Sequence, residues 1–300
     1  MHGWLIIDKP VGIGSTPVVG RVKGVLRRLG FKKWKVGHGG TLDPLASGVL
    51  PIAIGEATKL AGRMLDATKA YDFTISFGAE TTTLDAEGDV TTSSDVRPSE
   101  QDVLDALPGF TGTIEQMPPA FSALKVDGKR AYDLAREGKP VDLQSRTVVI
   151  HELRLLETTK DSATFAATVS KGTYIRSLAR DIARALGSVG HVTMLRRTHA
   201  GPFDLSKAIP LDFLDKIASA RDLTDLMLPL EAALDDIPAL SVSPEEARLL
   251  RHGQRLQGHP APPGQYFATH EESPVALVSV EEDGEIAVIR GFNLELDDKE

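Results

Sequence analysis

The sequence predicts an α+β protein with a small β-rich unit behind it, and three observations carry the prediction. Apolar residues recur at helical spacing near residues 15 to 29 and again near 173 to 186. Runs starting at Tyr71, Val148 and Ala163 instead alternate apolar with polar, in the period of a strand with one buried face. From about residue 240 the texture changes, and Pro260, Pro262, Pro263 and Gly264 punctuate short β-like runs at Ala276 to Val280 and Glu285 to Gly291.

Taken in order, Trp4 to Asp8 is a short apolar run that ends at a Lys-Pro turn and reads as a buried strand. Ser15 reads as an N-cap with Pro17 in the first helical turn. Val18, Val19, Val22, Val25, Leu26 and Leu29 then form the apolar face, and Gly30 stops the helix. The other face carries Arg21, Lys23, Arg27 and Arg28, continued by Lys32, Lys33 and Lys35. Tyr71, Phe73, Ile75 and Phe77 line one side of a half-buried strand, Glu87-Gly88-Asp89 makes a turn, and Ser99 with Asp102 forms a capping box. Met117-Pro118-Pro119 opens a Lys-rich insertion with a turn at Asp127-Gly128. Val148 to Leu156 and Ala163 to Val169 read as an antiparallel pair, and Thr173 as the cap of a helix with Ile175, Leu178, Ala179, Ile182, Ala183 and Leu186 inward. Arg176, Arg180 and Arg184 lie on one flank of that helix. Val192 to Arg197 is another short strand, and residues 208 to 240 read as helical and acidic.

The 300 residues carry 34 Lys and Arg against 42 Asp and Glu, a net charge of −8, with 41% hydrophobic residues and no cysteine. This is globular composition, with no disulfide, Fe–S cluster or Cys-ligated zinc. The apolar run at the amino terminus is too short for a signal peptide or a membrane span, so a soluble cytoplasmic protein is expected. A net negative charge argues against a nucleic-acid binder when taken whole. Its distribution tells a different story. Residues 1 to 70 hold 11 basic and 4 acidic side chains, and residues 169 to 207 hold 7 and 2, whereas residues 71 to 120 hold 1 and 10. The stretches 208 to 240 and 241 to 300 are acidic as well, at −5 and −7. Two basic islands stand in an acidic chain.

A dinucleotide-binding reading of the first strand, turn and helix fails, because Pro17 occupies the place of the third glycine and no acid ends a second strand. There is no P-loop, and the eight histidines show no metal-ligand spacing, so neither a metal nor a nucleotide cofactor is expected. The densest unusual stretch is Val36 to Pro51. Its glycines at 37, 39, 40 and 48 allow close approach by a ligand, and Asp43 precedes Pro44, which holds it out of helical geometry. His38 and Asp43 stand five apart on this loop, directly after the most basic stretch of the chain.

Six blocks in order resemble the bacterial tRNA pseudouridine synthase B family. They are LIIDKPVGIGS (Leu5 to Ser15), GHGGTLDPLASGVLPIAIGEATK (Gly37 to Lys59), Lys69-Ala70-Tyr71, PPAFSALKVDGKRAYDLAREG (Pro118 to Gly138), KGTYIRSLARDIARALG (Lys171 to Gly187) and HVTMLRRTHAGPF (His191 to Phe203). The resemblance implies an α+β pseudouridine-synthase catalytic domain on a mixed, mostly antiparallel sheet over residues 1–238, with a thumb insertion at about 118–146. Residues 239–300 are placed by position as a PUA-like RNA-binding module. The implied activity is isomerisation of uridine 55 in the T-loop of tRNA to pseudouridine, with no cofactor and no metal, by a monomer.

Carried over residue by residue, the resemblance makes Asp43 the catalytic carboxylate and Arg176 its ion-pair partner. Tyr71 becomes the ring against the flipped uracil, with a hydroxyl placed for proton transfer at C5. Tyr174 and Leu195 line the same pocket, His38 fills the space the base vacates, and Lys9 with Pro10 supports the floor. RNA backbone contacts are expected from Arg21, Arg28, Lys32, Lys33, Arg180, Arg184, Arg196 and Arg197, and from Lys125, Lys129 and Arg130 on the thumb. Two other readings compete: an RNA-folding chaperone that binds without catalysis, and a glycoside-bond hydrolase, for which no second carboxylate near Asp43 is evident.

Overall fold

The computed structural model describes residues 1–294 apart from Ala123, Asp127 and 139–141. The side chains of Lys125, Lys129 and Arg130 also lie outside the described residues. The chain begins β1 (Gly3–Lys9), α1 (Ser15–Arg28), β2 (Val36–His38), β3 (Ser47–Ile54), α2 (Ala61–Asp66) and β4 (Lys69–Phe77). Next come β5 (Ala79–Thr81), β6 (Val90–Ser93), α3 (Glu100–Ala106), β7 (Gly112–Gln116), β8 (Lys125–Val126), β9 (Lys129–Arg130) and α4 (Ala131–Arg136). Then follow β10 (Arg146–Thr158), β11 (Ser162–Val169), α5 (Ile175–Ala185), β12 (Gly190–Ala200), β13 (Phe203–Asp204), β14 (Ile209–Pro210) and α6 (Ala220–Asp225). The last elements are β15 (Ala239–Ser241), α7 (Pro244–Arg251), β16 (Gly264–His270), β17 (Ser273–Val280) and β18 (Ile286–Gly291).

The main sheet runs β14-β1-β3-β12-β4-β11-β10-β7, with β2 beside β3 and β13 beside β12. Only the β1–β14 and β3–β12 pairings are parallel, so the sheet is mixed and mostly antiparallel as the resemblance implied. The parallel contact matters most for function. It sets Arg196 and Arg197 opposite Ser47 and Gly48, and so lays the loop before β3 against the second half of the chain. Gly48 has φ +101, and a Cβ there would stand 2.1 Å from the Arg197 carbonyl oxygen, so only glycine lets the two strands meet.

Helices α1 and α5 bury their apolar faces in one core with Phe73 and Phe165, whose rings stack at 5.2 Å. The inward face of α1 is Val18, Val19, Val22, Val25 and Leu26 as expected, while Leu29, expected with them, is the C-cap and only partly buried. Its cap is not. Gly14 is the N-cap, and Ser15 is already helical, with its hydroxyl turned to the main chain of Leu42. Thr173 does not cap α5 either: the cap is Tyr174, whose N–H and carbonyl are taken by the Gln116 side-chain amide at 2.8 and 3.2 Å. The capping box at Ser99 forms as read. Residues 208 to 240 fold as short helical turns, not as a continuous helix.

Beyond residue 238, β15 to β18 form a separate four-stranded sheet under α7. Phe267, Leu277 and Phe292 join a core with Trp4, Ala57 and Leu60, and the Lys59 amine donates to the Gly291 carbonyl at 2.8 Å. Among the described residues, no helix is long and apolar enough to cross a membrane.

Candidate active site

Asp43 sits on the loop between β2 and β3, and three side chains lock that loop. Ser15 accepts from the Leu42 N–H at 2.8 Å. Lys9, fully buried, donates to the carbonyls of Pro10 and Ile13 at 2.9 and 2.6 Å and reaches Pro44 at 3.5 Å. Burial lowers the Lys9 amine to about 8, against the opposing pull of the Asp43 charge. Arg197 donates from the far side to Val49 and Gly40 at 2.8 and 3.1 Å. A loop held this way keeps the Asp43 backbone still, while its carboxylate remains 40% exposed.

That carboxylate meets Arg176 at 2.8 Å. Arg176 is the second residue of α5, so the helix start aims it and burial confines it. Its guanidinium also donates to the carbonyls of Thr83 and Phe121 at 2.8 and 3.0 Å. Behind it stands Asp85, only 2% exposed, at 3.4 Å from the same guanidinium. Asp85 in turn accepts from the Glu87 N–H at 3.0 Å and from the Thr83 hydroxyl. Two carboxylates thus share one guanidinium. Glu87, beside them, is pushed up by burial and by the charges of Asp85 and Asp43. Asp85 was not singled out from the sequence. Its signal was indirect: a buried arginine needs a buried acid, and the stretch from 71 to 120 is where the acids lie.

In front of the pair opens a cavity of about 310 Å³, lined by Tyr71, Tyr174, Leu195, Lys69 and the Asp43 loop. Its size suits a nucleoside. Tyr71 projects from β4, and Tyr174 ends the segment into α5 with Arg146 5.9 Å from its ring centre. Burial raises the Tyr174 hydroxyl, keeping it protonated. His38 lies at the end of β2, half-buried, with Nδ1 3.4 Å from the Gly40 N–H. Burial, aided by Arg197, lowers its imidazole, which therefore stays neutral at ordinary pH. Asp43, Arg176, Tyr71, Tyr174 and Leu195 thus converge on one cavity, while Lys9 lies behind the Asp43 loop on the carbonyls of Pro10, Ile13 and Pro44.

The second basic island is largely spent on internal partners. Arg197 is 1% exposed with its guanidinium on main-chain carbonyls, which corrects its expected role as a phosphate contact. Adjacent strand residues point to opposite faces, so Arg196 and Arg197 never shared one. Arg196 pairs with Asp8, Arg180 with Asp181, and Arg184 with Glu80, each at 2.8 Å. In the first island Arg21 pairs with Asp215, and Arg28 donates to the carbonyls of Leu214 and Ile217. Lys32 and Lys33 stand exposed on the exit loop of α1.

On this sheet a fixed acid–arginine pair stands at the floor of a nucleoside-sized cavity, and similarity to known families places the protein in the class of pseudouridine-forming enzymes. The chain belongs to the TruB family: the model of the TruB family pseudouridylate synthase N-terminal domain matches residues 27–175, and that of the tRNA pseudouridylate synthase B C-terminal domain matches 176–235. It is similar to tRNA pseudouridine synthase B of Novosphingobium aromaticivorans, at 58% identity over 98% of both chains. The protein of that name from Zymomonas mobilis is 54% identical over 98% of this chain and 96% of its own. A solved H/ACA RNP bound to a substrate RNA containing 2′-deoxyuridine superposes with a TM-score of 0.72 at 25% identity, over 97% of this chain and 85% of the other. A Cbf5-Nop10-Gar1 complex gives 0.72 at 27% identity, over 97% and 84%.

Proposed function

We propose that this chain isomerises uridine 55 in the T-loop of tRNA, binding the T-arm as a cytoplasmic monomer and using Asp43 as its catalytic carboxylate. The observation that carries the reading is the 2.8 Å Asp43–Arg176 pair at the floor of the cavity walled by Tyr71 and Tyr174. The target base is stacked in folded RNA, so it must be extruded before Asp43 can reach it. His38, a neutral imidazole beside the loop, is suited to fill the vacated place.

Within the cavity the C1′–N1 bond breaks, the uracil turns, C5 bonds to C1′, the C5 proton leaves and the freed N1 takes up a proton, so that the product is an isomer of the substrate. Asp43 acts as an anion, either by adding to the nucleoside or by removing a ribose proton. Arg176 pairs with it and aims it, and Asp85 holds the other side of the guanidinium. Tyr71 supplies the stacking wall and a hydroxyl for the C5 proton. Lys32 and Lys33 supply free cations for RNA phosphates, and the β8–β9 hairpin with Lys125, Lys129 and Arg130 is the thumb that closes on the T-arm. We assign residues 1–238 to catalysis and 239–300 to a PUA-like module.

The test is tritium release from 5-tritiated uridine in tRNA. Wild type releases label, and Asp43→Asn releases none while still binding the T-arm. Release by Asp43→Asn at the wild-type rate overturns the assignment.

A further inference from the structure

One aliphatic lining residue of the catalytic cavity differs from the other aliphatic ones. Leu42, Ala46, Val169, Ile175 and Leu195 are all buried within the fold, whereas Leu65 is 53% exposed. An isolated exposed leucine needs no explanation on a surface. This one lies at the mouth of the site, at the end of α2, and its backbone is held by an uncommon device. Lys69, 7% exposed, donates its amine to the Leu65 carbonyl at 2.6 Å and to the Ala67 carbonyl. Burying a lysine carries a desolvation cost, and here the amine serves to fix the turn between α2 and β4. Burial lowers that amine to about 8, with the nearby Arg197 charge acting in the same direction. Lys69 also begins the strand that presents Tyr71, so the stacking wall and the exposed leucine hang from one fixed point.

We infer that Leu65 is a substrate-binding residue, an apolar lip that closes over the ribose of the extruded nucleotide, and that Lys69 is the positioning residue that holds it there. The inference rests on the reading of this cavity as the uridine site. Leu65 is half-exposed in the free protein, and it gains its remaining burial only when a nucleotide occupies the cavity. Lip contact of that kind contributes to holding the substrate and leaves the bond-breaking step alone.

Steady-state kinetics on a T-arm RNA test it. Leu65→Ala raises KM about fivefold to tenfold with kcat within about twofold, the effect of losing part of one leucine side chain's burial. Its thermal unfolding midpoint stays at the wild-type value, because the residue is exposed in the free fold. Leu65→Met restores KM. Lys69→Met raises KM similarly, and adding it to Leu65→Ala raises KM no further. An unchanged KM in Leu65→Ala, or a fall in kcat alone, overturns the inference. Asp43→Asn run alongside separates the two claims: if it retains turnover the reading of the site fails, and if it is dead while Leu65→Ala behaves as wild type only the lip fails.

Discussion

Replacing Arg176 by lysine keeps the positive charge and removes the planar fork, which makes it a sharp test of what the arginine contributes. The guanidinium spans four partners, Asp43 at 2.8 Å, Asp85 at 3.4 Å, and the carbonyls of Thr83 and Phe121 at 2.8 and 3.0 Å. An ammonium has three donors on one atom and cannot reach carboxylates on both sides together with both carbonyls. Losing two hydrogen bonds from a charged donor costs about 1.5 to 3 kcal/mol each in a buried setting, part of it recovered by water at the exposed Asp43 edge. A net loss of about 3 kcal/mol in the placement of the carboxylate corresponds to a rate about a hundredfold lower. The assay is single-turnover tritium release with saturating enzyme, paired with T-arm affinity. Slow turnover with near-normal affinity is the expected outcome. A single-turnover rate within threefold of wild type would refute the argument that the fork orients Asp43.

Two further contrasts separate structure from RNA grip. Arg197→Gln removes a buried guanidinium from three main-chain carbonyls and should lower unfolding free energy by about 3 kcal/mol, with no change in the salt slope of RNA binding. Lys32→Gln and Lys33→Gln should each reduce that slope by roughly 0.7 to 0.9 and leave stability unchanged, as filter binding across salt concentrations will show. Lys69 gives a pH test: its amine titrates at about 8 in the fold against 10.5 when free. Between those values the unfolded chain binds more protons, so the stability of wild type relative to Lys69→Met should rise as pH goes from 8 to 10 in urea unfolding.

Much of this architecture was legible where one element decides its own pattern. The valines of α1 and the alternation from Tyr71 to Phe77 report one buried face each, and both appear as read. The loop that carries Asp43 into the cavity lining was legible because glycines and an Asp-Pro step are local signals. Pairings across the fold were not. Ser15 looked like a cap because its chemistry suits one, yet the nearby Leu42 main chain captured its hydroxyl. Asp85 was hidden in an acidic stretch that reads as solvated surface, although burial under Arg176 makes it part of the site. Counting charge by segment suggested an RNA-facing island at 169 to 207, but tertiary folding sets Arg184 against Glu80 and Arg196 against Asp8, while Arg180 pairs with its neighbour Asp181. The second carboxylates that the hydrolase reading lacked are present as Asp85 and Glu87, though one is locked under Arg176 and the other faces like charge.

The parallel pairing of β3 with β12 also governs when the enzyme comes into being. Asp43 lies early in the chain and Arg176 more than a hundred residues later, and the loop carrying the acid is steadied by Arg197, on the last long strand of the main sheet. Contacts of such long sequence separation close late during folding. A ribosome-bound chain that has emerged only as far as α5 holds every side chain of the pair but not the strand that sets their loop, so the nascent protein should stay inert toward RNA until β12 is free to zip in.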